Sequence, residues 1–268
     1  MRQVRSGDAE IVYEVLGSGP PVILLHPFPA NHALWLPAVQ SLTSSYQLIL
    51  PDLRGHGDSE IGEGPALMEK HAADIARIMD DADVKRAILI GNSIGGYAIF
   101  ECWRRWKERI TGLVLCNTKA IPDTPEIRST RLQSVSDVLE RGTEPFFASQ
   151  VTRLVGKTTQ ASRPDLVDGA LRMMRKMSTV DVAMVQRGMA ERTDSMPILK
   201  TIHVPTLVIT GIEDELTGIP DADAMHKNIP RSELKVVAKA GHYSPWEQPE
   251  EVGRLLRQFL DAHVQTSS

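Results

Sequence analysis

Apolar residues fall into two patterns along this chain: short unbroken runs, and longer stretches in which they recur every three or four positions. The short runs predict strands over 11–15, 22–25, 47–50, 87–90, 112–116, 206–210 and 234–237. Several show no in–out alternation, as expected of strands covered by helices on both faces. The periodic stretches predict helices over 34–44, 68–80, 94–107, 221–228 and 249–262. Strand and helix alternate, which implies an α/β fold: a mainly parallel, doubly wound sheet with right-handed crossovers.

The alternation fails between Ile121 and Lys200. Only helical patches stand out there, over 126–141, 165–177 and 180–191. The expected organisation is a core formed by 1–120 and 201–268, with 121–200 as an inserted helical cap. The insertion holds Met173, Met174, Met177, Met184, Met189 and Met196 of the ten methionines. These are expected to pack the insertion onto the core, with the alternative that some line a malleable pocket. The tail over 265–268 is expected to fray.

Composition narrows the function classes. A chain of 268 residues suits one large domain, or a domain with a sizeable insertion. Its 30 Lys+Arg against 34 Asp+Glu give a net charge of -4, which argues against nucleic acid as a partner. The two cysteines, Cys102 and Cys116, exclude a disulfide scaffold and a four-cysteine metal site, and both are expected to be small buried residues. Behind Arg2 and Arg5 there is no apolar core of a signal peptide, and no run reaches the roughly 20 residues of a membrane helix. A cytoplasmic protein that does not engage a membrane is the expectation.

Gly91-Asn92-Ser93-Ile94-Gly95 fits G-x-S-x-G between a predicted strand and a predicted helix. The turn is tight, and Gly91 and Gly95 carry no Cβ to clash across it. Ser93 would stand above the sheet edge, at a helix N-terminus that favours developing negative charge. A serine hydroxyl needs a base. His242 lies just past the strand 234–237, at the carboxyl edge where α/β sites assemble. His32, His71, His226 and His263 fall on helix or surface positions, and His203 is at the wrong end of the sheet. The base needs a carboxylate to fix its tautomer. Asp214, after strand 206–210, is the choice, with Glu213 and Glu215 as rivals. The order Ser93, Asp214, His242 is the chain order of this architecture.

With these motifs the sequence resembles the α/β-hydrolase family from about Val12 to Leu260. The matching segments are Leu24-Leu25-His26-Pro27-Phe28-Pro29, Asp52-Leu53-Arg54-Gly55-His56-Gly57-Asp58-Ser59, the Ser93 pentapeptide, Gly211-Ile212-Glu213-Asp214 and Gly241-His242. The resemblance favours Asp214 over its neighbours and makes the insertion the family's variable cap. It also implies an oxyanion hole built from the backbone N–H groups of Phe28 and Ile94. One departure is His26-Pro27, where the family usually has His-Gly. Proline lacks an N–H, but Phe28 keeps its own.

The resemblance implies a serine hydrolase of a small carboxylic ester or lactone, working through an acyl-enzyme on Ser93. Asn92-Ser93 and Trp246 are also similar to hydrolases that cleave carbon–carbon bonds in ring-fission products. Those usually carry a Gly-Pro-Gly-type oxyanion loop, which Pro27-Phe28-Pro29 does not match, so that alternative ranks lower. A further alternative is a non-hydrolytic receptor or lyase on the same fold. No cofactor and no metal are expected: there is no H-E-x-x-H and no Cys/His cluster. Gly156-Lys157-Thr158 resembles the end of a P-loop but lacks its first glycine, since Val151 stands there. Asp52, Arg54 and His56 are expected to hold loops together.

Overall fold

The structure, a computed structural model, describes residues 1–264; the tail over 265–268 lies outside them. The chain opens with β1 (Arg2–Ser6), β2 (Ala9–Leu16) and β3 (Pro21–Leu25). The short α1 (Leu36–Val39) leads to β4 (Gln47–Pro51), and α2 (Met68–Asp81) to β5 (Ala87–Asn92). Then come α3 (Ile94–Trp106) and β6 (Ile110–Cys116). Six helices follow without a strand: α4 (Pro125–Arg141), α5 (Glu144–Leu154), α6 (Lys157–Ser162), α7 (Pro164–Met174), α8 (Thr179–Ala190) and α9 (Met196–Leu199). The sheet resumes with β7 (Thr206–Gly211), α10 (Ile219–Asn228) and β8 (Ser232–Val237), and the described chain ends through α11 (Ser244–Glu247) and α12 (Pro249–His263).

The strands form one sheet in the order β1-β2-β4-β3-β5-β6-β7-β8, parallel from β4 to β8 and antiparallel at β1 and β2. From β3 the chain steps one way to β4 and then the other way to β5. Right-handed crossovers therefore put their helices on opposite faces. Accordingly α2 packs on α3, and α1 packs on α12. The strands between these layers are apolar and buried, as at Val22–Leu25 and Ala87–Ile90. The helices cover them with stripes: α2 buries Met68, Ala72, Ile75 and Met79, and α12 buries Val252, Leu255, Leu256, Phe259 and Leu260. The reversal between β3 and β5 is a topological switch point, where a crevice opens at the carboxyl ends of the strands.

Three sequence expectations change. β1 has no apolar run and is an exposed edge, made a strand by its antiparallel register with β2 from Arg2↔Tyr13 to Ser6↔Ala9. The helix expected over 34–44 is broken into two 3₁₀ turns around α1. There Thr43 Oγ1 and Ser44 Oγ donate to the carbonyls of Gln40 and Ser41, competing with the helical pattern. The helix expected over 165–177 ends at Met174, because the chain must turn before Ser178 caps α8 through a capping box with Asp181. α5 and α6, missed in the sequence, fill the interval between α4 and α7. Cys102 and Cys116 are free and buried as expected, and burial pushes the Cys116 thiol up to about 12.

Candidate active site

Ser93 links β5 to α3 with φ 55° and ψ −115°, a conformation an L-residue adopts only when its surroundings impose it. The imposition is local. Ser93 N–H donates to the Cys116 carbonyl at 3.0 Å, and its own carbonyl accepts from Gly96 N–H at 2.9 Å and from Thr118 Oγ1 at 2.8 Å. A Cβ on Gly91 would lie 2.5 Å from the Gly95 carbonyl carbon, and one on Gly95 would lie 2.5 Å from the Leu25 carbonyl oxygen. The glycines thus let α3 start directly against β3 and β5.

Asp214 lies just beyond β7 and His242 in the loop after β8. His242 Nδ1 donates to Asp214 Oδ2 at 2.9 Å, both side chains being buried. That bond places the proton on Nδ1 and leaves Nε2 as the basic nitrogen. Burial would raise the Asp214 carboxyl. The neighbouring His242 ring, the Asn117 amide and the Thr217 N–H overcome this and hold it well below the usual carboxylate range. Asn117 Nδ2 and Thr217 Oγ1 each donate to Oδ2 at 2.8 Å, and the Leu216 and Thr217 N–H groups donate to Oδ1 at 2.9 and 3.1 Å.

The rivals are engaged elsewhere. Glu213 accepts from Thr158 N–H at 2.8 Å, and exposed Glu215 pairs with Lys157 at 2.7 Å. From the sequence Asn117 is expected near the site only by its place after the strand 112–116, with no role assigned, and Thr217 is not singled out. Their one signal is position, Asn117 directly after β6 and Thr217 three residues past Asp214, and Asn117 adds φ 44°.

Ser93 and His242 line the same cavity. Among the described residues no hydrogen bond joins Ser93 Oγ to the His242 ring; such contacts commonly tighten only when substrate is bound. Phe28 lies three residues past β3, in a turn closed by Ala30 N–H donating to the Pro27 carbonyl at 2.9 Å. Neither the Phe28 nor the Ile94 N–H donates to another described residue, so both are free to face a ligand oxygen. His26 anchors this turn. Its Nδ1 donates to the Pro27 carbonyl at 2.9 Å, and its Nε2 accepts from Leu53 N–H at 2.8 Å. Burial lowers His26 to about 4, so the ring stays neutral and this pairing holds.

The cavity measures about 330 Å³, in the range of small-molecule sites. The core supplies Phe28, Ser93 and His242, and the inserted helices supply Phe146, Arg131 and Met189. The Phe28 and Phe146 rings face each other at 6.0 Å between centroids. Of the six insertion methionines only Met189 reaches the cavity; Met173, Met174 and Met177 are buried in the shared core. Trp246 lies outside the lining, its indole donating to the Leu166 carbonyl of α7 at 3.0 Å.

The loop residues act as ties. Arg54 meets buried Asp74 through two nitrogens, at 3.0 and 2.7 Å, and reaches Asp8 at 2.6 Å. Asp52 accepts from the His32 N–H and ring and from the Asp58 N–H. Gly156-Lys157-Thr158 starts α6, where the Gly156 and Thr158 N–H groups are taken by Glu247 and Glu213, so they face carboxylates of the chain itself. His71 is on a helix as expected, yet it is fully buried, and neither of its ring nitrogens has a partner among the described residues. Burial accordingly lowers it to about 3.

Comparison with known proteins agrees with this architecture. A thermophilic esterase from Thermogutta terrifontis, solved with malate bound, superposes with a TM-score of 0.95 at 33% identity, covering 98% of this chain and 100% of that one. The enol-lactonase from Burkholderia xenovorans LB400 superposes with a TM-score of 0.90 at 23% identity, covering 97% and 100%, and so shares the fold. In sequence, 3-oxoadipate enol-lactonase 1 of Acinetobacter baylyi is 26% identical over 91% of this chain and 89% of its own length. Residues 20–249 match the family described as alpha/beta hydrolase fold, and with the eight-stranded sheet the chain is therefore a member of the alpha/beta hydrolase family.

Proposed function

We propose that this protein is a serine hydrolase of small carboxylic esters or lactones. The observation that carries the reading is the meeting of Ser93 with the paired His242 and Asp214 at one cavity, beside two unused backbone N–H groups. The esterase and enol-lactonase relatives support the same substrate class. Residues 1–120 and 201–268 act as the catalytic core, and 121–200 as a cap that supplies the remaining cavity wall.

In the reaction His242 Nε2 takes the Ser93 hydroxyl proton as Oγ attacks the ester carbonyl. The oxyanion is held by the Phe28 and Ile94 N–H groups, aided by the N-terminus of α3. The carbonyl–oxygen bond then breaks, and the alcohol leaves with the proton from His242. Water attacks the acyl-Ser93 ester by the same route, releasing the acid and restoring the serine. Asp214 stabilises the imidazolium and does not itself take the proton. Asn117 and Thr217 keep its carboxylate oriented.

The test is hydrolysis of 4-nitrophenyl esters, from acetyl to dodecanoyl, by the wild type and Ser93→Ala. The compact cavity favours short acyl chains. Ser93→Ala is expected to lose turnover on the order of 10⁴-fold or more while keeping the wild-type circular dichroism spectrum. Equal turnover by the two proteins would refute the assignment of Ser93.

A further inference from the structure

The cavity wall contains a cation with no counter-ion. Lys119 lies three residues past the end of β6, is only 9% exposed, and lines the same cavity as Ser93 and His242. Among the described residues no carboxylate oxygen lies within 4.0 Å of its ammonium and no acceptor is hydrogen-bonded to it. A buried ammonium left in this state is costly, and burial together with the nearby Arg192 lowers its pKa.

The surrounding charges do not compensate for it. Asp123 is already shared, accepting from Arg131 Nε at 2.6 Å and from Arg192 at 2.7 Å. Asp221, the other carboxyl acting on Lys119, stays beyond ion-pair distance, and burial raises its pKa. Arg131 spends Nε on Asp123 and one terminal nitrogen on Gln186 at 3.0 Å, leaving the other terminal nitrogen unused at the cavity wall. Arg192 is turned away onto the Tyr97 ring, at 4.3 Å from its centroid. On this wall the Lys119 ammonium and one Arg131 terminal nitrogen are therefore left over, a pair suited to a singly charged anion with two oxygens, while the other charged groups of the lining, Arg153 and Glu215, act on each other.

We propose that the substrate carries a carboxylate besides its scissile ester or lactone group, and that Lys119 with Arg131 holds that carboxylate while the carbonyl sits at Ser93. This rests on the hydrolase reading above and specifies its substrate as an acidic half-ester or carboxylated lactone. Lys119 is then a specificity-determining residue: its charge sets which substrate is bound and at which end.

The test separates binding from turnover. Glutarate and its neutral dimethyl ester are titrated calorimetrically into Ser93→Ala protein, with and without Lys119→Met or Lys119→Arg. Glutarate is expected to bind more tightly than the dimethyl ester, to lose about 30-fold in affinity with Lys119→Met, and to stay within about threefold with Lys119→Arg. In the wild type, monomethyl glutarate should exceed dimethyl glutarate in kcat/KM, and Lys119→Met should shrink that ratio about tenfold or more. Thermal melts confirm that each variant is folded. Glutarate binding no tighter than its dimethyl ester, or an equal loss of both with Lys119→Met, overturns the proposal. Lys119-dependent glutarate binding without Ser93-dependent turnover would support the anion site and count against the hydrolase reading alone.

Discussion

Ser93 occupies a backbone conformation that only glycine adopts without cost, and its hydroxyl forms no hydrogen bond with another described residue. Such strain typically costs about 1–3 kcal/mol, more than the roughly 0.5–1 kcal/mol of chain entropy that glycine loses on folding. Ser93→Gly is therefore expected to be about 1 kcal/mol more stable than the wild type and inactive, as read by urea denaturation and ester hydrolysis. A less stable variant would show that the strain is absent. Asp52 gives a pH prediction at the same scale. Burial raises its carboxyl, but the His32 hydrogen bond and the His26 and His32 rings bring it from 3.8 down to about 2. A depressed carboxyl stabilises the fold above its unfolded value and loses that contribution as pH falls through the folded one. Asp52 should thus add stability at neutral pH that fades between about pH 4 and 2. Asp52→Asn should destabilise at pH 7 and differ little from the wild type near pH 2, as followed by denaturant titrations across that range.

At the scale of elements, the histidine loop is held from the insertion side. The Leu154 carbonyl at the end of α5 accepts from the His242 N–H at 2.9 Å and from the Tyr243 N–H at 3.2 Å. Glu247 at the end of α11 accepts from Gly156 N–H at 2.8 Å, before α6, and from Gly241 N–H at 2.9 Å, beside His242. One carboxylate therefore ties the insertion to the loop carrying the proposed base. Glu247→Ala would leave two buried N–H groups unsatisfied, at about 1–3 kcal/mol each. It is expected to lower Tm and kcat together, with Glu247→Gln recovering part of both. Full activity in a folded Glu247→Ala protein would show that the loop is placed without this tie.

Across the whole molecule, Asp123 joins three segments of chain. It lies beyond β6 and binds Arg131 on α4 and Arg192 after α8, with its side chain and that of Arg192 almost fully buried. Removing one member of a buried ionic cluster leaves its partners uncompensated, at about 3–5 kcal/mol. Asp123→Asn is expected to loosen the insertion first. Hydrogen exchange should show protection lost in α4 and α8 before the sheet. Uniform loss across sheet and insertion would mean that the two unfold as one unit.

Strands β3 to β7 were legible in the sequence because strands covered on both faces are almost continuously apolar, whereas β2 and β8 showed only through short apolar runs and β8 is largely exposed. The sequence also exposed the Ser93 turn, since the close approach of Gly91, Gly95 and Leu25 leaves room for little else. What was not legible depends on partners distant in the chain. β1 exists through its pairing with β2, and the residues alone left Glu213 and Glu215 as rivals of Asp214, which the family resemblance favoured and whose carboxylate is the one that meets His242. Asn117 and Glu247 act through atoms 97 and 91 positions away, at Asp214 and Gly156, and Thr217 through the Asp214 carboxylate and the His242 ring. The spare charge of Lys119 appears only once Asp123 is seen to be taken by two arginines. Hydrophobic period is a local property that a sequence carries openly. The pairing of buried polar groups is a matter of distance in space, and becomes readable once the chain is folded.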